Sequence, residues 1–321
     1  MSHAGRSATA LGASMSLGSL QISGNCEAPL DVRALLIHIT HYDPKWVPEK
    51  DQEERFSLKL GLDILDKMSA MGLNAVVVDI GDGVQYESHP ELRRPYSAPM
   101  EDLETLSQRA REQGISFVPK LNFSKSGRNL HDMWMKPHWD LRNFVSRRKE
   151  YFEVATDLIN ELVEVCQPPD YFHIGMDEDH HRSMDQFVAD IKLLREIISE
   201  HRLRAVMWND TCYENRNVIA QVHADKCRAA EPRLPKDIVQ LLWDYDIVHR
   251  GIVGRLAKAG FDVWVAPGRT ETMIREWKKV LCSEGGDRGK GLLMSNWLKC
   301  GEENRANILA MLDELGPLYG P

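Results

Sequence analysis

Residues 171–181 read Tyr-Phe-His-Ile-Gly-Met-Asp-Glu-Asp-His-His. An aromatic and β-branched run leads without a spacer into three acids and two histidines. The first five residues, Tyr171–Gly175, have strand character, because such side chains suit a pleated, half-buried surface. The acids have no folding role in that pattern, so the end of this strand is the first candidate for chemistry. Strand alternation puts Tyr171, His173 and Gly175 on one face, and Asp177 continues that parity. Glu178 follows where strand gives way to loop and can also turn toward that side. Two carboxyls so close do not both ionise easily. One is expected with a raised pKa, acting as an acid near neutral pH, while the other stays charged.

Outward from this stretch, short apolar runs alternate with helical stripes. The strand expectations are Arg33–Ile39, Ala75–Ile80, Ser116–Leu121, Tyr171–Gly175, Arg204–Trp208, Ile238–Trp243, Asp262–Ala266 and Gly291–Trp297. Most are continuous apolar runs of the kind buried on both faces in parallel sheets. Between them, Phe56, Leu60, Ile64 and Met68 recur at helical spacing up to Gly72, and Leu103, Leu106 and Ala110 up to Gly114. A third stripe runs from Tyr151 through Ala155, Leu158 and Leu162 to Pro168-Pro169. A long one joins Met184, Phe187, Ile191, Leu194 and Ile198. Helices are also expected over Ile247–Ala259, Thr270–Leu281 and Asn304–Leu315. Repeated βα units without an internal linker predict a single (β/α)8 TIM barrel over residues 29–321. A doubly wound open sheet is the alternative, weakened because no strand is followed by a Gly-x-Gly-x-x-Gly turn.

The bulk properties fit such a domain. The 321 residues are 43% hydrophobic and 27% charged, enough to bury a large core. A formal charge of −8 argues against nucleic-acid or anionic-membrane partners, which want a basic face. No apolar run approaches the roughly 20 residues that span a bilayer. Cys26, Cys166, Cys212, Cys227, Cys282 and Cys300 form no Cys-x-x-Cys pair, which disfavours a zinc ribbon or thioredoxin-like motif. Disulfides cannot be paired from their spacing, and buried free thiols are the preferred reading. Residues 1–28 are rich in Ser, Gly and Ala, with Arg6 before a mildly apolar segment. They read either as the remnant of an export signal or as a disordered tail, so export and a cytoplasmic location both stay open.

A barrel concentrates chemistry at the C-terminal ends of its strands. Those ends hold His38 to Asp43, Asp79 to Asp82, Lys120 to Asn122, Asp177-Glu178, Trp208 to Asp210, Trp243 to Asp246 and Asn296-Trp297. Acids, amides and tryptophans on one rim suit a sugar, whose hydroxyls want carboxylates and amides and whose ring faces stack on indole. A single Trp is as readily core as wall. Three at equivalent strand ends favour a ligand wall.

At this point the sequence resembles glycoside hydrolase family 20, the β-N-acetylhexosaminidases. The motif is His-x-Gly-x-Asp-Glu over 173–178, and the stretch from Leu73 to Asn122 resembles the family's passage from second to third strand. The likeness covers roughly residues 32–300 and is strongest over 72–180. It implies a substrate-assisted retaining mechanism, an exception to the usual two-carboxylate scheme. Glu178 would be the general acid and base, and Asp177 would orient the substrate's 2-acetamido group, the internal nucleophile. His173 would support the site from beneath. Trp208, Trp243 and Trp297 would wall the sugar, Tyr245 would hydrogen-bond the acetamido oxygen, and Asp79 and Asn122 would join the binding set. No metal or organic cofactor is implied, and the partner is an N-acetylhexosamine-containing glycan. The chain departs from the family at three points. The arginine after the first strand has no counterpart in HITHYDPKW, the second glycine of the motif is Met176, and the acid after the last-strand Trp is replaced by Leu298-Lys299.

Two other function classes compete. A metal-dependent hydrolase would draw on His38, His41, Asp79, His173, Asp177, Glu178, Asp179, His180 and His181, although no strand carries a His-x-His pair. Asp179 also reads as an N-cap for the following helix, with His180 and His181 solvated. A non-catalytic sugar-binding barrel is motivated by the missing arginine and opposed by the retained acid pair.

Overall fold

The computed structural model describes residues 30–40, 52–124, 148–214 and 216–320. The N-terminal segment 1–28 and the part of HITHYDPKW from His41 onward lie outside them. The described residues contain eight strands: β1 (Val32–His38), β2 (Ala75–Asp79), β3 (Ser116–Lys120), β4 (Tyr171–His173), β5 (Arg204–Asn209), β6 (Val239–Asp244), β7 (Val263–Pro267) and β8 (Gly289–Met294). Every neighbouring pair is parallel, and β8 returns to β1. The strands therefore form a closed barrel in sequence order. An open doubly wound sheet is excluded.

Among the described residues, eight α-helices follow the strands: α1 (Leu58–Ala70), α2 (Met100–Glu112), α3 (Arg148–Cys166), α4 (Met184–Glu200), α5 (Val218–Ala230), α6 (Ile252–Lys258), α7 (Glu271–Gly285) and α8 (Arg305–Tyr319). None of the helices among the described residues is long and apolar enough to cross a membrane. Alternate residues of the strands divide two cores, as the period of two requires. Leu35, Ile37, Val76 and Val78 face the helices, whereas Ala34, Leu36, Val77, Leu241 and Leu293 fill the barrel. Cys166, Cys212, Cys227 and Cys300 are buried free thiols, as expected. Cys282 is disulfide-bonded, contrary to the preferred reading of free thiols.

The expected elements differ from the observed ones mainly at their ends. β4 stops at His173 because Gly175 turns to φ +70°, although Ile174 N–H still bonds to the Val206 carbonyl at 2.9 Å. β8 stops at Met294, so Trp297 lies on the loop beyond it. The capping role expected of Asp179 is taken by Ser183, which forms a capping box with Gln186 at the start of α4. Five residues separate the acid pair from that helix.

The strand register sets the barrel's uppermost layer. His38 pairs with Asp79, Asp79 with Lys120 and Lys120 with His173, so four ionisable side chains share one row across β1 to β4. All four are buried. The Lys120 ammonium donates to Asp79 Oδ2, and His38 Nδ1 lies 3.3 Å from the same oxygen. Burial alone would raise the Asp79 pKa, but Lys120 and His38 hold its carboxyl below the ordinary 3.8.

Breaking this pair leaves an uncompensated buried charge, so Lys120→Met is expected to lower the unfolding free energy by about 3–5 kcal/mol in urea titrations. Adding Asp79→Asn should recover part of that loss, and strictly additive losses would show that the two groups are uncoupled. The depressed pKa means that Asp79's contribution is fully present above its unfolded value and fades as pH falls toward the folded one. The stability difference between wild type and Asp79→Asn should therefore shrink in acid.

Candidate active site

The chain leaves β4 through a run of left-handed backbone: Gly175 at φ +70°, Met176 at +76° and Glu178 at +50°. Gly175 has no room for a side chain, since a Cβ there would stand 2.1 Å from Asn122 Oδ1. That contact places Asn122, from the end of β3, directly beside the β4 exit. Asn122 Oδ1 accepts from Met176 N–H at 3.2 Å and from Ser124 N–H at 3.1 Å. Its amide is then left to donate to Asp177 Oδ1, at 2.8 Å. The two backbone donors thus fix which way the carboxamide points. Asp177 is buried and held, and Glu178 beside it is half-buried.

Met176 does not crowd the acid pair. Its side chain is fully buried in the core between barrel and helices. It occupies a backbone region that disfavours residues other than glycine, at a cost of roughly 1–2 kcal/mol. Burial of the side chain offsets that cost.

Beneath the pair, His173 Nδ1 accepts from Gly175 N–H at 2.9 Å, which leaves the proton of the neutral ring on Nε2. Burial, then the Lys120 charge, push the His173 pKa well down, so the ring is neutral. Asp79 belongs to the buried row under the mouth and not to its exposed rim. From His173 an aromatic arc runs round the mouth through Trp208, Trp243, Tyr245 and Trp297, with ring centroids 5.1, 6.2, 5.7 and 6.3 Å apart. His38 meets Trp297 at 5.3 Å from the other side. Trp208 and Trp243 are buried, while Tyr245 and Trp297 are half-exposed and form the outer part of the wall. Tyr245 Oη donates to Ser295 Oγ at 3.4 Å.

Two contributors were absent from the sequence expectation. Tyr213 packs edge-on against Trp243 with centroids 4.4 Å apart. Asp210, buried at the end of β5, accepts from Glu178 N–H at 2.8 Å and from the Trp243 indole N–H at 2.9 Å. The signal for Asp210 was its place in the polar strand-end string Trp208-Asn209-Asp210. Burial, then the Asp177 charge, push its carboxyl well above the usual carboxylate range. Asp210 is thus a third carboxyl beside the expected pair, and its own pKa is raised.

The remaining acids and histidines go elsewhere. Asp179 is buried against Arg182, whose Nη1 donates to it at 2.5 Å, and against Lys226. His180 meets His223 of α5 at 3.0 Å between Nε2 atoms, and His181 is exposed. Among the described residues, no three or more His, Cys, Asp or Glu side chains are grouped so as to hold a metal ion.

No protein-family model and no curated protein matches the sequence. Solved structures do. The GH20 β-N-acetylhexosaminidase from Streptomyces coelicolor A3(2) aligns with a TM-score of 0.55 at 15% identity, over 74% of this chain and 48% of that one. The Streptomyces plicatus N-acetyl-β-hexosaminidase, solved in complex with thio-NAglucal, aligns with a TM-score of 0.62 at 12% identity, over 91% and 62%. Dispersin B aligns with a TM-score of 0.57 at 14% identity, over 90% and 97%. The fold is that of the GH20 hexosaminidase barrel. The chain spans about half the length of the first of these enzymes.

The β4 exit can be tested by its two unusual residues. Gly175→Ala must displace Asn122, and is expected to cost at least about 2 kcal/mol of stability through the left-handed strain and the lost hydrogen bonds. Met176→Gly relieves the backbone but empties a core site. A net loss of about 1–3 kcal/mol is expected in thermal or urea unfolding, and a gain in stability would contradict the assignment of its side chain to the core.

Proposed function

We propose that the chain is a glycoside hydrolase acting on terminal β-linked N-acetylhexosamine by substrate-assisted, retaining catalysis. The observation that carries the reading is the pair at the β4 exit. One carboxylate, Asp177, is gripped by the Asn122 amide, while its half-exposed neighbour Glu178 stands on a fixed backbone beside an aromatic arc. The likeness in fold to enzymes named as β-N-acetylhexosaminidases supports it.

In this reading Glu178 protonates the glycosidic oxygen. The acetamido carbonyl oxygen of the substrate attacks the anomeric carbon as the bond to the leaving group breaks. Asp177 accepts a hydrogen bond from the acetamido N–H and stabilises the positive charge of the oxazolinium-like intermediate. Glu178, now a carboxylate, takes a proton from the water that opens that ring, so the anomeric configuration is retained. Asn122 leaves Asp177 one defined orientation, which lessens reorganisation during the reaction. Trp243, Tyr245 and Trp297, backed by Trp208, exclude water and pack against the sugar. His173, neutral and fully buried, supports the β4 exit from below. Asp79 acts through the buried row and not by touching sugar.

Nitrophenyl and phenyl β-N-acetylglucosaminides separate the roles of the two acids. Glu178→Gln is expected to lower kcat/KM by about 10²–10⁴ on the phenyl glycoside, and far less on an activated nitrophenyl one, because only poor leaving groups need protonation. Asp177→Asn should impair both alike. Binding of N-acetylglucosamine by a wild type that releases no phenol from any N-acetylhexosaminide would instead establish the non-catalytic, sugar-binding reading.

A further inference from the structure

We propose that Asp210 is the positioning residue for Glu178, tying the acid's backbone and the Trp243 wall into one unit. The proposal rests on the reading of Glu178 as the general acid. Glu178 sits at φ +50°, a region a glutamate enters only when surrounding contacts hold it there. Asp210 Oδ2 supplies such a contact by accepting the Glu178 backbone N–H, and Oδ1 simultaneously accepts the Trp243 indole N–H. Asp210 is 1% exposed, so water cannot readily replace either bond.

Only a carboxyl of this length suits both donors. An amide would turn its NH2 toward one of two N–H groups, leaving that donor without an acceptor. Burial and the Asp177 charge favour the neutral acid, yet a protonated carboxyl keeps a lone pair on each oxygen for these donors. The grip therefore does not depend on Asp210's charge. Asp210 also begins the short turn of 3-10 helix that carries Tyr213, which packs on Trp243. A shift of the indole by bound sugar would thus pass through a single carboxyl to the peptide N–H of the acid.

The test is Asp210→Asn in the full chain. Its kcat/KM is expected to fall about tenfold more on phenyl than on dinitrophenyl β-N-acetylglucosaminide, the skew of a misplaced acid. In a Glu178→Gln background the same change should add less than about threefold, since the acid it positions is already gone. Equal losses on both substrates, or full multiplication of the two effects, would overturn the proposal. A second readout needs no turnover: the indole N–H resonance of Trp243 in a 1H–15N spectrum, assigned through Trp243→Phe. It should move in Asp210→Ala, which removes both acceptors, and an unmoved resonance overturns the proposed grip. If the wild type is inactive on every N-acetylhexosaminide, the hydrolase reading fails while this spectrum still decides whether Asp210 holds Trp243. Asp210→Ser, which keeps one acceptor, serves the same comparisons should the asparagine variant fail to fold.

Discussion

The carboxamide of Asn122 is the contact on which the site geometry depends. It stands where β3 ends and the chain leaves β4, and it meets both sides of that exit. Its oxygen takes the peptide N–H of Met176, its amide holds Asp177, and its atoms occupy the space that any side chain at position 175 would need. One small group therefore sets the path of the β4 backbone and the orientation of the carboxylate that follows. Both are decided by sterics and hydrogen bonding within the barrel wall, before any ligand is present. Preorganisation of this kind is where catalytic barrels invest their structure.

Charge is distributed round that contact in two tiers. The lower tier is the row His38, Asp79, Lys120 and His173, where register alone brings an acid and a base together inside the barrel. Its ion pair is closed within the protein, and the neighbouring His173 is held neutral. The upper tier holds Asp177, Glu178 and Asp210 near one another. Burial and the Asp177 charge raise the pKa of Asp210, the most enclosed of the three. The lower tier consequently suits a rigid floor, and the upper one suits proton chemistry.

The barrel was legible because both-face burial leaves continuous apolar runs, and because helical stripes of period 3.6 separate them. α5 was not anticipated for the opposite reason: Val218, Ile219 and Val222 face solvent, which scrambles its apolar stripe. Asp177, Glu178, His173 and the tryptophans could be placed at the mouth from alternation and strand ends. Asp210's partners could not, since a bond across 32 residues leaves no local pattern. Asp179 misled because an acid before a helix resembles a cap. Ser183, nearer the helix and followed by Gln186, was better suited to that role.

The departures from the family's pattern then carry unequal weight. A methionine in place of the motif's second glycine puts a large side chain next to the acids in sequence. Left-handed backbone at 176 instead sends the side chain into the outer core, so the replacement affects stability more than the shape of the mouth. Leu298 and Lys299 follow Trp297 off the strand, and Lys299 is buried and donates to the Glu54 carbonyl at 2.6 Å. The position of the family's acid thus lies near a cation engaged in holding the loop together. Position 176 meets Asn122 through its peptide N–H, which the replacement leaves in place, and the Lys299 ammonium bonds to the Glu54 carbonyl. At the β4 exit Asn122 holds Asp177, and Asp210 holds the Glu178 peptide N–H together with the Trp243 indole. These contacts rest on peptide N–H groups and on side chains other than the two replaced ones, so the geometry of the β4 exit does not require the family's residue at either position.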